Sequence, residues 1–173
     1  MSRHGAVTFK GTPLTLVGKA VTVGQQAPDF TLRYYEAGGM KTVSPADLKG
    51  KPAFISVVPS LDTPVCQVQT KKFNEELSAL GDKVKALTVS LDLPFAMNRF
   101  CGAEHITNMQ SASDYYDRSF GQNWGMLIDE LKLLARGVFV LDKDGKVVYA
   151  EQVTEVASEP NYEHALAALK KLV

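Results

Sequence analysis

The stretch PAFISVVPSLDTPVC, residues 52–66, joins a buried strand to a helix start. Its first half is a nearly continuous apolar run, the pattern of a central strand covered on both faces of a sheet. In its second half Thr63 suits a helix N-cap and Pro64 the first helical position, where a missing N–H costs nothing. Cys66 then falls in the first helical turn. Free backbone N–H groups and the positive end of the helix dipole favour a thiolate there, with the Thr63 hydroxyl either capping the helix or hydrogen-bonding the sulfur. The same residues also fit a capped helix with a buried cysteine that acts as a small hydrophobe, so the motif by itself leaves both readings open.

Working outward, the segment from Pro64 to Leu80 carries Phe73, Leu77 and Leu80 at helical spacing and stops at Gly81. KVKALTVSLD (83–92) reads as a second buried strand, PFAMNRFCGAEHI (94–106) as a helix, TNMQSAS (107–113) as a short strand or loop, and SDYYDRSFG (113–121) as a short helix. RGVFVLDKDGKVVYAEQV (136–153) is a hairpin turning at Asp144-Gly145. EPNYEHALAALKKLV (159–173) is a closing helix, with Pro160 in its first turn and Tyr162, Leu166, Leu169 and Val173 on one face. Upstream, AVTFKGTPLTLVG (6–18) predicts a hairpin, and residues 27–51 a strand, a Gly-Gly turn and a short helix from Ser44 or Pro45. Alternating strands and helices followed by a hairpin and a helix describe an α/β fold with a mixed central sheet, for which a thioredoxin-like topology is one natural solution.

The chain has 173 residues, 45% of them hydrophobic and 22% charged, which suits one domain spanning residues 1–173. Its 19 basic and 19 acidic side chains cancel, so no charge argument favours nucleic acid or a membrane surface as partner. No apolar stretch has the length of a signal peptide core or a membrane span, and the expected location is the cytoplasm. In that reducing setting two cysteines point to catalytic, redox or metal-binding use rather than a disulfide scaffold. The second, Cys101, follows LPFAMNRF. A cation, Arg136, opens a strongly apolar run; it reads either as a strand-edge partner of a carboxylate or as a forked donor for an anionic sulfur.

These residues resemble the peroxiredoxins, in particular the thiol peroxidase subfamily of atypical two-cysteine enzymes. Pro59, Thr63 and Cys66 meet the Pro-x-x-x-Thr-x-x-Cys signature, and APDFTL with LKGKPAFISVVPS matches the approach to it. LPFAMNRFCGAEHI is similar to the segment with the resolving cysteine, here Cys101, and LLARGVFVLDKDGKVVY to the one with the active-site arginine, here Arg136. Two departures stand near the site: Gly137 takes the place of an alanine, and GMLIDELKLLAR lacks a Gly-Pro-Leu-Lys-Gly run.

The resemblance implies a thioredoxin-like fold with an added N-terminal β-hairpin, a homodimer, and no metal or organic cofactor. It implies a Cys66 thiolate that attacks a hydroperoxide, a sulfenic acid that condenses with Cys101 to an intramolecular disulfide, and a thioredoxin-type protein that reduces it. The two cysteine segments would have to unwind locally between steps. An ordinary thiol of pKa near ~8.5 is about 3% ionised at pH 7, so full ionisation gains at most about thirtyfold. The larger contribution must act on the breaking O–O bond, through Arg136, the Thr63 hydroxyl and backbone N–H groups, with Pro59 shielding the sulfur. Val65, Phe95 and Leu133 are the apolar neighbours expected to favour organic hydroperoxides. A rival metal site would draw on Cys66, Cys101 and His105, the last two set four apart on a helix. A disulfide reductase would need a Cys-x-x-Cys pair, which the chain lacks.

Overall fold

In the computed structural model, which describes residues 1–173, a seven-stranded mixed sheet runs through the centre of the molecule. Its strands are β3 (Leu32–Glu36), β4 (Gly39–Val43), β5 (Ala53–Val57), β6 (Lys85–Ser90), β7 (Gln110–Ser113), β10 (Gly137–Leu141) and β11 (Val147–Gln152), in the order β11-β10-β5-β6-β7-β3-β4. β5 pairs in parallel with β6, and β6 with β7; the remaining neighbours are antiparallel. The apolar run at 53–57 is β5, buried at every position. Because successive side chains alternate across a sheet, Ala53, Ile55 and Val57 join one apolar cluster while Phe54 joins the other.

The Phe54 side is covered by two helices, α1 (Pro64–Leu77) and α4 (Tyr162–Lys170), through Phe73, Leu77, Leu166 and Leu169. Phe54, Phe73 and Tyr162 meet edge to face at 4.7 and 5.0 Å. A third helix, α2 (Pro94–Ala103), leaves the end of β6 and packs against β7 and β3. On the opposite side lie the N-terminal hairpin, β1 (Ser2–Phe9) and β2 (Thr12–Val17), and the short α3 (Ser119–Asn123). There Trp124 stacks on Phe120, meets Phe139 edge-on and donates its indole N–H to the Pro28 carbonyl.

Several boundaries differ from the sequence reading. α1 ends at Leu77 with Ser78 as its C-cap, and Gly81, with φ +49°, opens a separate 3-10 turn, so the helix stops short of the glycine. The helix placed at 113–121 begins only at Ser119, because the buried Asp114 carboxylate accepts the N–H groups of Phe120 and Gly121 and fixes the helix start there. Pro160 precedes α4; Asn161 is its N-cap, accepting the His164 N–H, and Val173 lies beyond the helix. The short helix at Pro45–Leu48 is a 3-10 turn with a Ser44/Asp47 capping box.

The departure segment makes a pair of short strands, β8 (Leu127–Ile128) and β9 (Leu133–Leu134), which extend the N-terminal hairpin into a four-stranded sheet ordered β1-β2-β8-β9. Two-residue strands carry no periodicity, so sequence pattern could not mark them. The segment also explains Gly137. A Cβ there would sit 2.5 Å from the Glu151 carbonyl oxygen and 2.7 Å from Cε of Met126, so the methionine side chain and strand β11 occupy the room an alanine would need.

Candidate active site

Cys66 stands at the third position of α1, behind the extended N-cap Thr63 and Pro64 at the first position. Its side chain is 0% exposed and packs with Val58, Leu61, Met97 and Phe100. The Thr63 hydroxyl does neither of the things expected of it: it donates to the Ser60 carbonyl at 3.1 Å, within the turn of residues 60–63. The helix start therefore has no side-chain cap, and the N–H groups of its first turn remain as donors beside the sulfur.

Arg136 is 2% exposed, just ahead of β10, and no carboxylate pairs with it. The strand-edge ion pair is thus overturned: the guanidinium forks inward to three acceptors. Nε donates to the Val156 carbonyl at 2.9 Å, Nη1 to Gln69 Oε1 at 3.0 Å, and Nη2 lies 3.4 Å from the Cys66 sulfur. Gln69 is itself held by Ser56, whose hydroxyl accepts from its amide at 2.8 Å. Burial of a cation requires such compensation, and the sulfur supplies the one acceptor capable of carrying negative charge.

Gln69 was not singled out by sequence. The signal was there: it is one helical turn from Cys66 on the stripe Cys66, Gln69, Thr70, Phe73, Leu77, and a polar residue on a buried stripe needs a partner.

Arg136, Pro59, Thr63 and Val65 line an apolar hollow of about 320 Å³ together with Leu133, Ile128 and, from the N-terminal hairpin, Phe9 and Lys10. Val65 and Leu133 thus lie where expected. Phe95 does not: it is an exposed residue of α2 whose ring leans on Tyr35 at 5.1 Å.

Cys101 lies on α2 and is half-buried, its sulfur 2.8 Å from the Ser111 hydroxyl of β7. Burial pushes its thiol above the ordinary range, and the bond to Ser111 only partly opposes that. It borders a different hollow, and Met97, which lines that hollow, also packs on Cys66. Both thiols are free. His105 falls past the end of α2 with φ +56°, off the helical face of Cys101, and no three His, Cys, Asp or Glu side chains gather closely enough to hold a metal ion.

A buried cysteine at a helix start, touched by an arginine at the base of an apolar hollow, on the end of a parallel strand pair, defines a cysteine redox protein on a thioredoxin-like scaffold. Residues 22–166 match the Redoxin family model, and the chain belongs to that family. Its relatives narrow the class. It is 54% identical over 167 residues to the thiol peroxidase of Bacillus subtilis, covering 96% of this chain and 98% of that one. It is 50% identical over 166 residues to the thiol peroxidase of Streptococcus pneumoniae, covering 96% and 99%. Within the family, then, the chain belongs with the thiol peroxidases. Among solved structures, a peroxiredoxin-like protein from Aquifex aeolicus matches with a TM-score of 0.88 at 41% identity over 98% of each chain. A thiol peroxidase from Chromobacterium violaceum, 16% identical over 95% of each chain, shares the fold at a TM-score of 0.82.

Proposed function

We propose that the chain reduces hydrogen peroxide and organic hydroperoxides with Cys66 as nucleophile and Cys101 as resolving thiol. The observation that carries this reading is the 3.4 Å contact of Arg136 Nη2 with the Cys66 sulfur at the edge of the apolar hollow. The Cys66 thiolate attacks the terminal peroxide oxygen, the O–O bond breaks, and the departing alkoxide or hydroxide takes a proton. Negative charge moves from sulfur to the leaving oxygen, and the Arg136 fork and the uncapped N–H groups of α1 are placed to follow it. Pro59 and Thr63, which line the hollow, keep water from the sulfur. Those five residues, Pro59, Thr63, Cys66, Cys101 and Arg136, make up the proposed machinery.

In the resolving step the Cys101 sulfur displaces the oxygen of the Cys66 sulfenic acid, and the thiol proton leaves with it as water. A raised thiol pKa keeps Cys101 protonated until that point. With Cys66 fully covered and Met97 packed on it, the two sulfurs meet only if the first turn of α1 and the α2 segment rearrange. A thioredoxin-type dithiol then restores both thiols by exchange. The same reading includes a cytoplasmic setting and a homodimer. No helix is long and apolar enough to cross a membrane.

The deciding experiment mixes reduced protein with hydrogen peroxide or an organic hydroperoxide and follows peroxide loss and intact mass. The wild type should lose two hydrogens and Cys101→Ser should gain one oxygen. Absence of any reaction in the wild type overturns the proposal.

A further inference from the structure

We propose that Asp92 is a positioning residue whose carboxylate latches the loop ahead of Cys66 onto the end of β6, and so sets how often the two cysteine segments come free to react with each other. The inference rests on the Cys66–Cys101 condensation proposed above.

Asp92 sits between β6 and the helix that bears Cys101, two residues before Pro94. Its Oδ1 accepts the Ser60 hydroxyl at 2.8 Å, and its Oδ2 accepts both the Leu61 N–H at 2.8 Å and the Ser90 hydroxyl at 2.7 Å. Its backbone is pinned as well, the N–H donating to Ser90 Oγ and the carbonyl accepting the Ser113 hydroxyl. Apart from these bonds to Asp92, residues 59–63 hydrogen-bond only within their own turn and to Gln67 of α1. One carboxylate is therefore the polar tie between the loop over Cys66 and the base of the Cys101 segment.

The far end of that segment is held differently. Asn74 of α1 accepts the N–H groups of Thr107 and Asn108 and receives the Asn108 amide on its own carbonyl, which anchors the chain just past α2 to the body of the molecule. Between these two anchors, the bonds that tie the segment to the loop over Cys66 are those of the Asp92 carboxylate.

Two reactions compete for the sulfenic acid. Condensation with the Cys101 thiol gives a disulfide and water; attack on a second hydroperoxide gives a sulfinic acid and an alcohol or water. The latched loop presents Cys66 to peroxide, and the unlatched loop presents it to Cys101. The folded arrangement, with Cys66 fully covered and its loop bonded to Asp92, is the latched form. Weakening the latch then multiplies the unlatched fraction while leaving the latched fraction nearly whole.

The test compares wild type, Asp92→Asn and Ser60→Ala in rapid-mixing experiments with hydrogen peroxide, measuring peroxide consumption, disulfide formation by mass of quenched samples, and sulfinic acid in excess peroxide. Asp92→Asn should form the disulfide about tenfold faster, the equivalent of about 1.4 kcal/mol or roughly one charge-assisted hydrogen bond. Ser60→Ala, which loses a single bond at the loop side, should show a smaller rise. The peroxide step should stay within about twofold, and the sulfinic fraction should fall as disulfide formation rises. A merely structural role would lower stability without separating the two steps. Disulfide formation at or below the wild-type rate in both variants, with the peroxide step intact, overturns the proposal. A wild type that forms sulfenic acid but never the disulfide removes the pairing itself and this proposal with it.

Discussion

Gln69 accepts a 3.0 Å hydrogen bond from Nη1 of Arg136 and passes its amide to Ser56 Oγ at 2.8 Å, so the arginine that touches Cys66 is aimed by a residue on the same helix as the cysteine. Cys66 and the side chain that aims the guanidinium thus share one rigid element, one turn apart along α1, while Arg136 itself comes from the chain just ahead of β10. The spacing of Cys66 and Gln69 does not depend on a loop.

Replacing Gln69 with leucine keeps its bulk and removes the acceptor, leaving a buried guanidinium N–H unpaired. The second-order rate constant with peroxide should fall about ten- to a hundredfold, with Gln69→Glu retaining more activity because its carboxylate still accepts from Nη1. Rapid-mixing kinetics on both variants decide this; a wild-type rate in Gln69→Leu refutes the aiming role.

Gly137→Ala brings a methyl against the Glu151 carbonyl and Met126 Cε. Overpacking of this kind costs about 1–3 kcal/mol. Chemical denaturation should show a lower midpoint, partly restored by Met126→Ala in the double variant, with the backbone contact left uncorrected. Additive effects of the two substitutions would rule out the shared space.

Asp114 is fully buried, and burial raises its pKa from 3.8 to about 6 against the pull of the Phe120 and Gly121 N–H groups. A raised folded-state pKa means that its contribution is fully present below pH 3.8 and is lost as pH rises through about 6. The loss across that window is about 3 kcal/mol. Denaturation midpoints of wild type and Asp114→Asn at pH 4 to 7, taken as a difference, should trace it; a difference that does not vary with pH contradicts the assignment.

Glu155 behaves with the opposite sign. Its half-buried carboxylate accepts the N–H groups of Ala157 and Gly11 and the Thr8 hydroxyl, which draws its pKa from 4.5 down to about 2. The stability it supplies is present above pH 4.5 and disappears as pH falls toward about 2. Glu155→Gln should therefore lose stability at pH 7 and show a shallower acid transition, read by circular dichroism during acid titration. An acid transition identical to wild type would count against it.

Much of this architecture was legible in residues 52–66, because a two-sided apolar strand and a Thr-Pro helix start carry strong local signals. Cys66, Cys101 and Arg136 stood out through composition and resemblance. What sequence could not place depends on contacts between distant segments. The Thr63 hydroxyl donates to the Ser60 carbonyl inside its own turn and accepts no N–H from the start of α1, a local geometry that residue type alone does not specify. Phe95 was expected among the apolar neighbours of the site, yet the face of α2 it occupies turns its ring to Tyr35. The position of Gln69 on the buried stripe of α1 asks for a polar partner, but that partner, Arg136, lies 67 residues away in the chain.

The N-terminal hairpin supplies Phe9 and Lys10 to the wall of the hollow, and it is strapped to residues 154–156 by backbone bonds from Thr8 and by the Glu155 carboxylate. The next carbonyl along, that of Val156, is the one that receives Arg136 Nε. With the hollow as the proposed peroxide site, acid tolerance and choice of substrate are inherited together. Any redesign of the hairpin that admits a bulkier hydroperoxide also resets the lowest pH at which the arginine stays aimed.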